Sequence, residues 1–439
     1  MTIRHWMKIA PLAGLLGMSW MAAAADISGD WIAQILAQGQ AEPQYARVSL
    51  KVEGSAVGGM WGELRIDGTL AGGKIDLKLG DSAGVLTGLV TGDAITGTGS
   101  GIRPARGGRG GRGGGGGGPV SFVLKRPAVP PAAPRSINFE PTDFFAIYSA
   151  ANKPALTIFP GDVVHTWTAD AGGVDAKGVR HRGGDSNIGP FYVEGALLGD
   201  TLVVHLLKVR TNRPTAHQGT RINAHAVTAA YLARFEVDPN VTGDWTLLPE
   251  KGIAVPAHPS EHMKNYSIPL KPMLGCISVA PAGDEQFRGG DLGPFGGNLD
   301  YNDNVEGTTL YFPVFHAGAL LGMGDGHAAM GDGEVTGGAL ETSMDVDFSV
   351  EVIKGDSSAQ VRAETKDYLI AFGVAGSVPE SIQISTSQLA TWLKKDYKLS
   401  DSEVAILLAS TLKYDVTELV DSRFNVVAKV PKSVLAGLK

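Results

Sequence analysis

Apolar and polar residues alternate along most of this chain, in short runs that end at glycine. "DISGDWIAQI", "YARVSLKVEG", "GMWGELRIDGTL", "GKIDLKLG", "GVLTGLVTG" and "AITGTGSG" follow one another from Asp26 onward, separated by Gly or Asp-Gly type turns. Period two with tight turns predicts antiparallel hairpins that make a small sheet or barrel, with "PVSFVLKR" as the last strand. A second alternating region begins near Ser136. "PGDVVHTWTADAGG", "NIGPFYVEGALLGDTLVVHLLKV", "AVTAAYLARFEV", "LKPMLGCISVAPAG", "GTTLYFPVFHAGALLGMG" and "EVTGGALETSMDVDFSVEVIKG" all read as strands closed by turns. Helical periodicity arrives late. "SDSEVAILLASTL" has a Ser/Asp start, Glu403 in its first turn and an apolar stripe, and "TSQLATWLKKDY" is a second candidate. The pattern predicts a β-rich α+β fold with its helices near the end.

Breaks in the pattern mark the organisation. Residues 1–25 carry Arg4 and Lys8, then the apolar "IAPLAGLLGMSWM", then small residues before Asp26. That is the form of a signal peptide, and the apolar run is short for a membrane span. The mature protein is therefore expected to be periplasmic or secreted, with no membrane partner after cleavage. A small all-β domain is expected over 26–126, with a Gly/Arg insertion at 103–118 ("RPARGGRGGRGGGGGG") as a flexible hairpin tip. The prolines of 127–135 stiffen a linker, and 136–439 form the main domain.

Composition narrows the function. Of 439 residues 60 are glycine and only 7% are aromatic, which favours strands and turns over long helices. A net charge of -7 argues against a nucleic-acid partner despite the Arg-Gly-Gly triplets. Cys276 is the single cysteine, so no intrachain disulfide forms. In "MLGCISVA" it reads as a small buried hydrophobe, without the His and acid that a nucleophilic thiol needs.

The densest chemistry lies in "GMGDGHAAMGDGEV", Gly322 to Val335. Asp325 and His327 are two apart, so an extended strand turns both to one face as a half-site for a divalent ion. The second Gly-Asp-Gly turns the chain and can return Glu334 beside them. Gly322, Gly324 and Gly326 are expected to clear space for a ligand against the backbone. The bland alternative is a Gly-rich hairpin whose aspartates bond their own turns, and Asp332 fits that role. "GPFGGNLDYND" adds Asn298, able to pair with a carboxamide, and Asp300, a ligand or a support for His327, unless the two serve a local turn.

Several segments resemble the metal-dependent acetamidase/formamidase family. They are "GPFYVEGALLGDTLVVHLL", "MLGCISVAPAG", the long block from Gly293 to Glu341 and "VDSRFNVVAKVPKSVL". The region 26–126 has no counterpart in that family's ordinary pattern. The resemblance implies a β-sandwich catalytic domain, hydrolysis of short linear amides to ammonia and carboxylate, a homodimer and a divalent metal. Zinc is the expected ion, with a structural calcium as a further candidate. It also brings in Asp170, which with Asp300 is a candidate to join Asp325 and His327 on the metal. Glu334 is then the base, Asn298 orients the small amide substrate, and Trp167 and Glu194 are candidate substrate contacts; a structural role for Glu194 stays open. The chain departs from the family in "GDVVHTWTADAGG", where Trp167 stands at a usually acidic position and His165 is unexpected. Two alternatives therefore stand: an exported non-catalytic module that binds a small ligand or glycan, or a metal hydrolase of a lactam or larger amide.

Overall fold

The computed structural model describes residues 26–40, 43–80, 84–101 and 118–438. The expected signal peptide and residues 103–117 of the Gly/Arg insertion lie outside them. The described residues fall into two compact units, one ending at Arg126 and the other starting at Pro127.

The first unit is a closed barrel of eight antiparallel strands, from Gly29–Ala37 to Val120–Lys125. The last strand pairs with the first, Ala33 opposite Leu124, so no edge is left open. Period-two alternation sends Trp31, Ala33, Val48, Leu50, Ile75, Leu77, Phe122 and Leu124 inward, where all are buried. Gly88 and Gly97 face each other across adjacent strands and leave room for the Phe122 ring, 2.8 Å from where a Cβ on Gly97 would sit. Arg126 lies 3.9 Å over the Trp31 ring and donates to the Ser28 and Asp26 carbonyls.

The second unit is a sandwich. Its six-stranded sheet runs Leu156–Ile158, Asn187–Val193, Leu321–His327, Met273–Ser278, Gly296–Asn298, Leu292–Gly293. Its nine-stranded sheet begins with Lys413–Glu418, Phe424–Pro431, Tyr368–Ala375 and Arg362–Glu364. It continues with Thr309–Pro313, Thr201–Thr211, Met344–Ile353, Val163–Thr168 and, outermost, Ser136–Asn138. The inner faces share one core, with Phe191 of one sheet 5.0 Å from Phe348 of the other. Strands of the larger sheet alternate as expected: Val346, Phe348 and Val350 are buried while Asp345 and Asp347 face outward. Strands Met273–Ser278 and Leu321–His327 are buried at every residue instead.

Helices Val378–Tyr397 and Asp401–Thr411 come late, and Ser400 with Glu403 forms the expected capping box. Leu389, Trp392 and Leu393 of the longer helix cover Leu369, Ala371 and Val430. One strand expectation is corrected. "AVTAAYLARFEV" contains only the helical turn Ala229–Leu232, with no buried residue, so its apolar positions have no sheet to pack on.

Asp162 ties the start of this unit to the sheet. It is fully buried and accepts from the backbone N–H groups of Arg135 and Phe159 and from the Arg135 guanidinium at 2.6 Å. Burial raises its pKa, but Arg135 and the two amides outweigh that and hold it below the ordinary value. Asp162→Asn is expected to cost about 2–4 kcal/mol at pH 7. Because the folded pKa is depressed, this stability is present above the unfolded pKa and lost as pH falls through the folded one. Denaturant unfolding of both proteins at pH 7 and pH 3 checks it: the difference should shrink at pH 3.

Candidate metal centre

Strand Leu321–His327 sits between Asn187–Val193 and Met273–Ser278. Its ladder pairs Gly324 with Cys276 and Gly326 with Leu274, and skips Asp325, which stands opposite Gly275 with φ +55°. The simple picture of two side chains leaving one face of a regular strand is therefore replaced by a local break, which still delivers both to one point. His327 Nε2 lies 3.2 Å from Asp325 Oδ1 and 3.2 Å from Glu341 Oε1, and 3.9 Å from Glu334 Oε1. His327 Nδ1 faces Asp300 Oδ1 at 3.9 Å.

Donor atoms converge in three overlapping groups: Asp300, His327 and Glu334; Asp325, His327 and Glu341; Asp300, Glu418 and Asp421. Asp300, His327 and Glu418 are fully buried. Backbone strain concentrates here too. Among the described residues, seven non-glycine positions have positive φ, and four of them are Asp185, Asp300, Asp325 and Glu334. Left-handed backbone at a non-glycine residue costs about 1–3 kcal/mol and persists where the surroundings over-determine it.

Electrostatics show what the cluster lacks. Burial pushes Asp300 and Glu334 well above the carboxylate range, helped at Asp300 by Glu334 and at Glu334 by Glu341. Burial and acidic neighbours raise Glu341 and Glu418 to about 7, Asp421 to about 6 and Asp185 to about 8. Burial pulls the His327 imidazolium down, but Glu341 and Asp325 outweigh it and raise its pKa. Asp325 alone is lowered, because His327 overcomes its burial. One imidazolium cannot balance this many carboxylates, so protons or cations must.

Hydrogen bonding points to cations. Both oxygens of Asp300, Nδ1 of His327, Oε2 of Glu341 and Oε2 of Glu418 are buried with no hydrogen-bond partner. Buried polar atoms are rarely left so, and coordination of an ion is one of the few explanations. A Cβ on Gly275 would overlap Asp325 Oδ2 and Asp300 Oδ1, so only glycine lets the two carboxylates close over that strand. The residues fit a divalent metal: imidazole plus carboxylate suits zinc, and the all-oxygen group at Asp300 suits a harder ion.

Asn298 joins the cluster. Its Nδ2 donates to Asp421 Oδ2 at 2.7 Å and its Oδ1 accepts from Cys276 Sγ at 2.8 Å. Asp421 offers only acceptors, so the amide is fixed with its nitrogen toward that carboxylate. Cys276 is buried as expected, and burial pushes its thiol pKa well up. It nevertheless touches the site through Asn298, which the strand pattern alone did not indicate.

Three expected residues stand apart. Asp170 accepts from Val174 N–H at 2.8 Å and from Arg213 at 2.7 Å, which commits its carboxylate to the protein rather than to an ion. Arg213 also donates to the Glu341 carbonyl at 3.3 Å, so Asp170 supports the centre from a distance. Trp167 packs on Phe144 and His181 at 5.7 Å from each, on the outward row of its strand. Glu194 is half-buried in the turn after strand Asn187–Val193, and burial raises its carboxyl. The role given to the strand's glycines is corrected as well. A Cβ would strike the Phe145 ring at Gly322, the Ser186 carbonyl at Gly324 and Met344 at Gly326, so these glycines admit neighbouring protein. Gly275, on the next strand, is the one that clears the donor atoms. Reading the sequence missed Asp185, Glu341, Glu418 and Asp421. Glu341 closes the glycine-rich block that begins at Gly293, but no spacing links Glu418 or Asp421 to His327.

A sequence model of the Acetamidase/Formamidase family matches residues 294–382, a stretch that holds Asn298, Asp300, Asp325, His327, Glu334 and Glu341. An acetamidase of Mycolicibacterium smegmatis is 43% identical over 61 residues, 14% of this chain and 15% of that protein. A formamidase of Methylophilus methylotrophus is 29% identical over 149 residues, 29% of this chain and 36% of that one. The matched stretches thus span well under two thirds of either curated relative. Fold similarity is broader. A predicted acetamidase/formamidase from Thermoanaerobacter tengcongensis aligns over 70% of this chain and 99% of its own, with a TM-score of 0.59 and 26% identity. An acetamidase from Bacillus halodurans aligns over 69% and 99%, with a TM-score of 0.58 and 26% identity. The resemblance read from the sequence holds in sequence around the centre and in fold over about 70% of the chain.

Gly275→Ala tests the cradle. It is expected to lower bound divalent metal by about tenfold or more, measured by elemental analysis after equilibrium dialysis, with the far-UV circular dichroism unchanged.

Proposed function

We propose that this relative of the acetamidase/formamidase family is a metal-dependent hydrolase of short linear amides, releasing ammonia and a carboxylate. The observation that carries the reading is the set of partnerless buried donors on Asp300, His327, Glu341 and Glu418, lying largely within the matched segment. Asp325, His327 and Glu341 would hold one ion, zinc by their mixed donors, with Asp300 and Glu334 beside it. Asp300, Glu418 and Asp421 would suit a structural calcium. A bound divalent ion supplies Lewis acidity and lowers the pKa of water toward neutrality.

The chain's own groups do the rest. Glu334 Oε1, 3.9 Å from His327 Nε2, takes the proton of the attacking water and delivers it to the leaving nitrogen. Asn298, held by Cys276 and Asp421, presents its amide to the substrate carboxamide. Asp170 and Arg213 steady the backbone that carries Glu341. Such exclusion of water strengthens every one of these contacts. The positively charged start and apolar core of residues 1–25 support export, with the mature chain beginning at Asp26, and the family resemblance favours a homodimer.

The purified mature protein is expected to release ammonia from formamide, acetamide or propionamide. Chelation should stop the release and zinc should restore it. Glu334→Gln should retain metal while kcat falls about 100-fold or more. Near-normal turnover in that variant would remove Glu334 as the base, and silence of the metal-loaded wild type across the panel would overturn amide hydrolysis. N-terminal sequencing of protein recovered from an expressing cell's exterior or periplasm should begin at Asp26.

A further inference from the structure

The outward face of the nine-stranded sheet carries a second set of chemically active side chains, on the three strands at its far edge. Ser136 Oγ lies 2.9 Å from His165 Nε2, and His165 Nδ1 lies 3.0 Å from Asp347 Oδ1. Registry creates the arrangement. His165 stands directly opposite Asp347 across the antiparallel ladder, and strand Ser136–Asn138 runs parallel on its other side, with Ser136 beside Val163. We propose that Ser136, His165 and Asp347 form a nucleophilic triad that cleaves small solvent-borne esters, independent of the metal centre.

The tautomer follows from the partners. An ionised Asp347 only accepts, so His165 Nδ1 carries the hydrogen that it donates. The Nε2 lone pair is then left facing the Ser136 hydroxyl, which donates to it. This is the order of groups that recurs in serine hydrolases on unrelated folds, where geometry and not sequence position defines the triad. His165 and Asp347 are 36% and 25% exposed, and Ser136 is exposed, so an ester reaches the hydroxyl without a channel. Phe139 N–H donates to the His165 carbonyl and Val163 N–H to the Arg135 carbonyl, so alternation turns the Ser136 and Asn138 N–H groups to the outer edge. Ser136–Asn138 is the outermost strand of its sheet, with no further strand paired beyond it among the described residues. Val163 and Trp167 flank His165 on the same face and give a short acyl chain an apolar rest.

The steps balance. Ser136 Oγ adds to the ester carbonyl carbon as its proton passes to His165 Nε2. The carbon–alkoxy bond then breaks, and His165 returns the proton to the departing alcohol, leaving an acyl ester on Ser136. Water adds to that carbonyl with its proton taken by His165, and the carboxylic acid leaves as Ser136 Oγ regains the proton. Asp347 touches neither reactant and acts as a positioning residue.

His205 offers an internal control, because its Nδ1 meets Thr309 Oγ1 and its Nε2 meets Glu351, with the ring nitrogens used in the opposite sense. The test treats the folded full chain with a fluorophosphonate probe, in chelator and without it, and maps the label by peptide fragmentation. Hydrolysis of p-nitrophenyl acetate is followed in parallel. The expected result is label on Ser136 whether or not chelator is present, and none in Ser136→Ala. The labelling rate should fall below about a tenth in His165→Gln and Asp347→Asn, and recover in part in Asp347→Glu. Circular dichroism confirms that each variant is folded. No label on Ser136, equal label in heat-denatured wild type, or label on Thr309 instead would overturn the triad. Chelator-dependent labelling would overturn its independence.

Discussion

Seven carboxyl groups, those of Asp185, Asp300, Asp325, Glu334, Glu341, Glu418 and Asp421, gather around one imidazole in a space largely removed from water. Each buried ionised carboxylate costs several kcal/mol unless it meets a cation or takes a proton. His327 supplies one positive charge at most. This demand explains features that otherwise look unrelated: four acids in strained backbone, donor atoms without partners, and a glycine where two carboxylates cross a strand. A surface site could relax by letting water in. A site between packed strands cannot, so the sandwich must carry the strain, and it does so with a shared core that includes Phe191, Phe348, Tyr301 and Phe372.

Much of the architecture was legible because period-two alternation and turn glycines are local signals. The barrel strands, the capping box at Ser400 and the late helices depend on residues within a few positions of each other. "AVTAAYLARFEV" failed by the same logic: its local pattern was strand-like, but no neighbouring strand pairs with it, and pairing is not a local property. The centre was legible only where it is sequential. Asp325, His327 and Glu334 lie within ten residues, and Asn298 and Asp300 within three. Glu418 and Asp421 reach it because strand Lys413–Glu418 ends at the site, and nothing near them in sequence records that. Asp170 misled in the opposite way. Its position looked like a ligand's, yet Arg213, 43 residues away, claims the carboxylate.

The glycines teach a related lesson about inference from composition. Gly322, Gly324 and Gly326 alternate along the strand that holds Asp325 and His327, and proximity suggested that they make room for a ligand. They make room for Phe145, the Ser186 carbonyl and Met344. The strand is buried on both sides and through its whole length, so every position without a side chain is a place where protein comes close. Only the partner strand reveals which glycine matters to the donor atoms. A glycine's purpose is set by what stands opposite it.

The same alternation that builds the core also separates the two candidate chemistries. On strand Met344–Ile353, Val346 and Phe348 point into the sandwich while Asp345 and Asp347 point away from it. His327 and its carboxylates belong to the six-stranded sheet, and His165 stands on the outward face of the nine-stranded one. A layer of close-packed apolar side chains, Phe191, Val346 and Phe348 among them, lies between those faces. The proposed metal centre and the proposed triad therefore stand on different sheets, one inside the sandwich and one on its outward face.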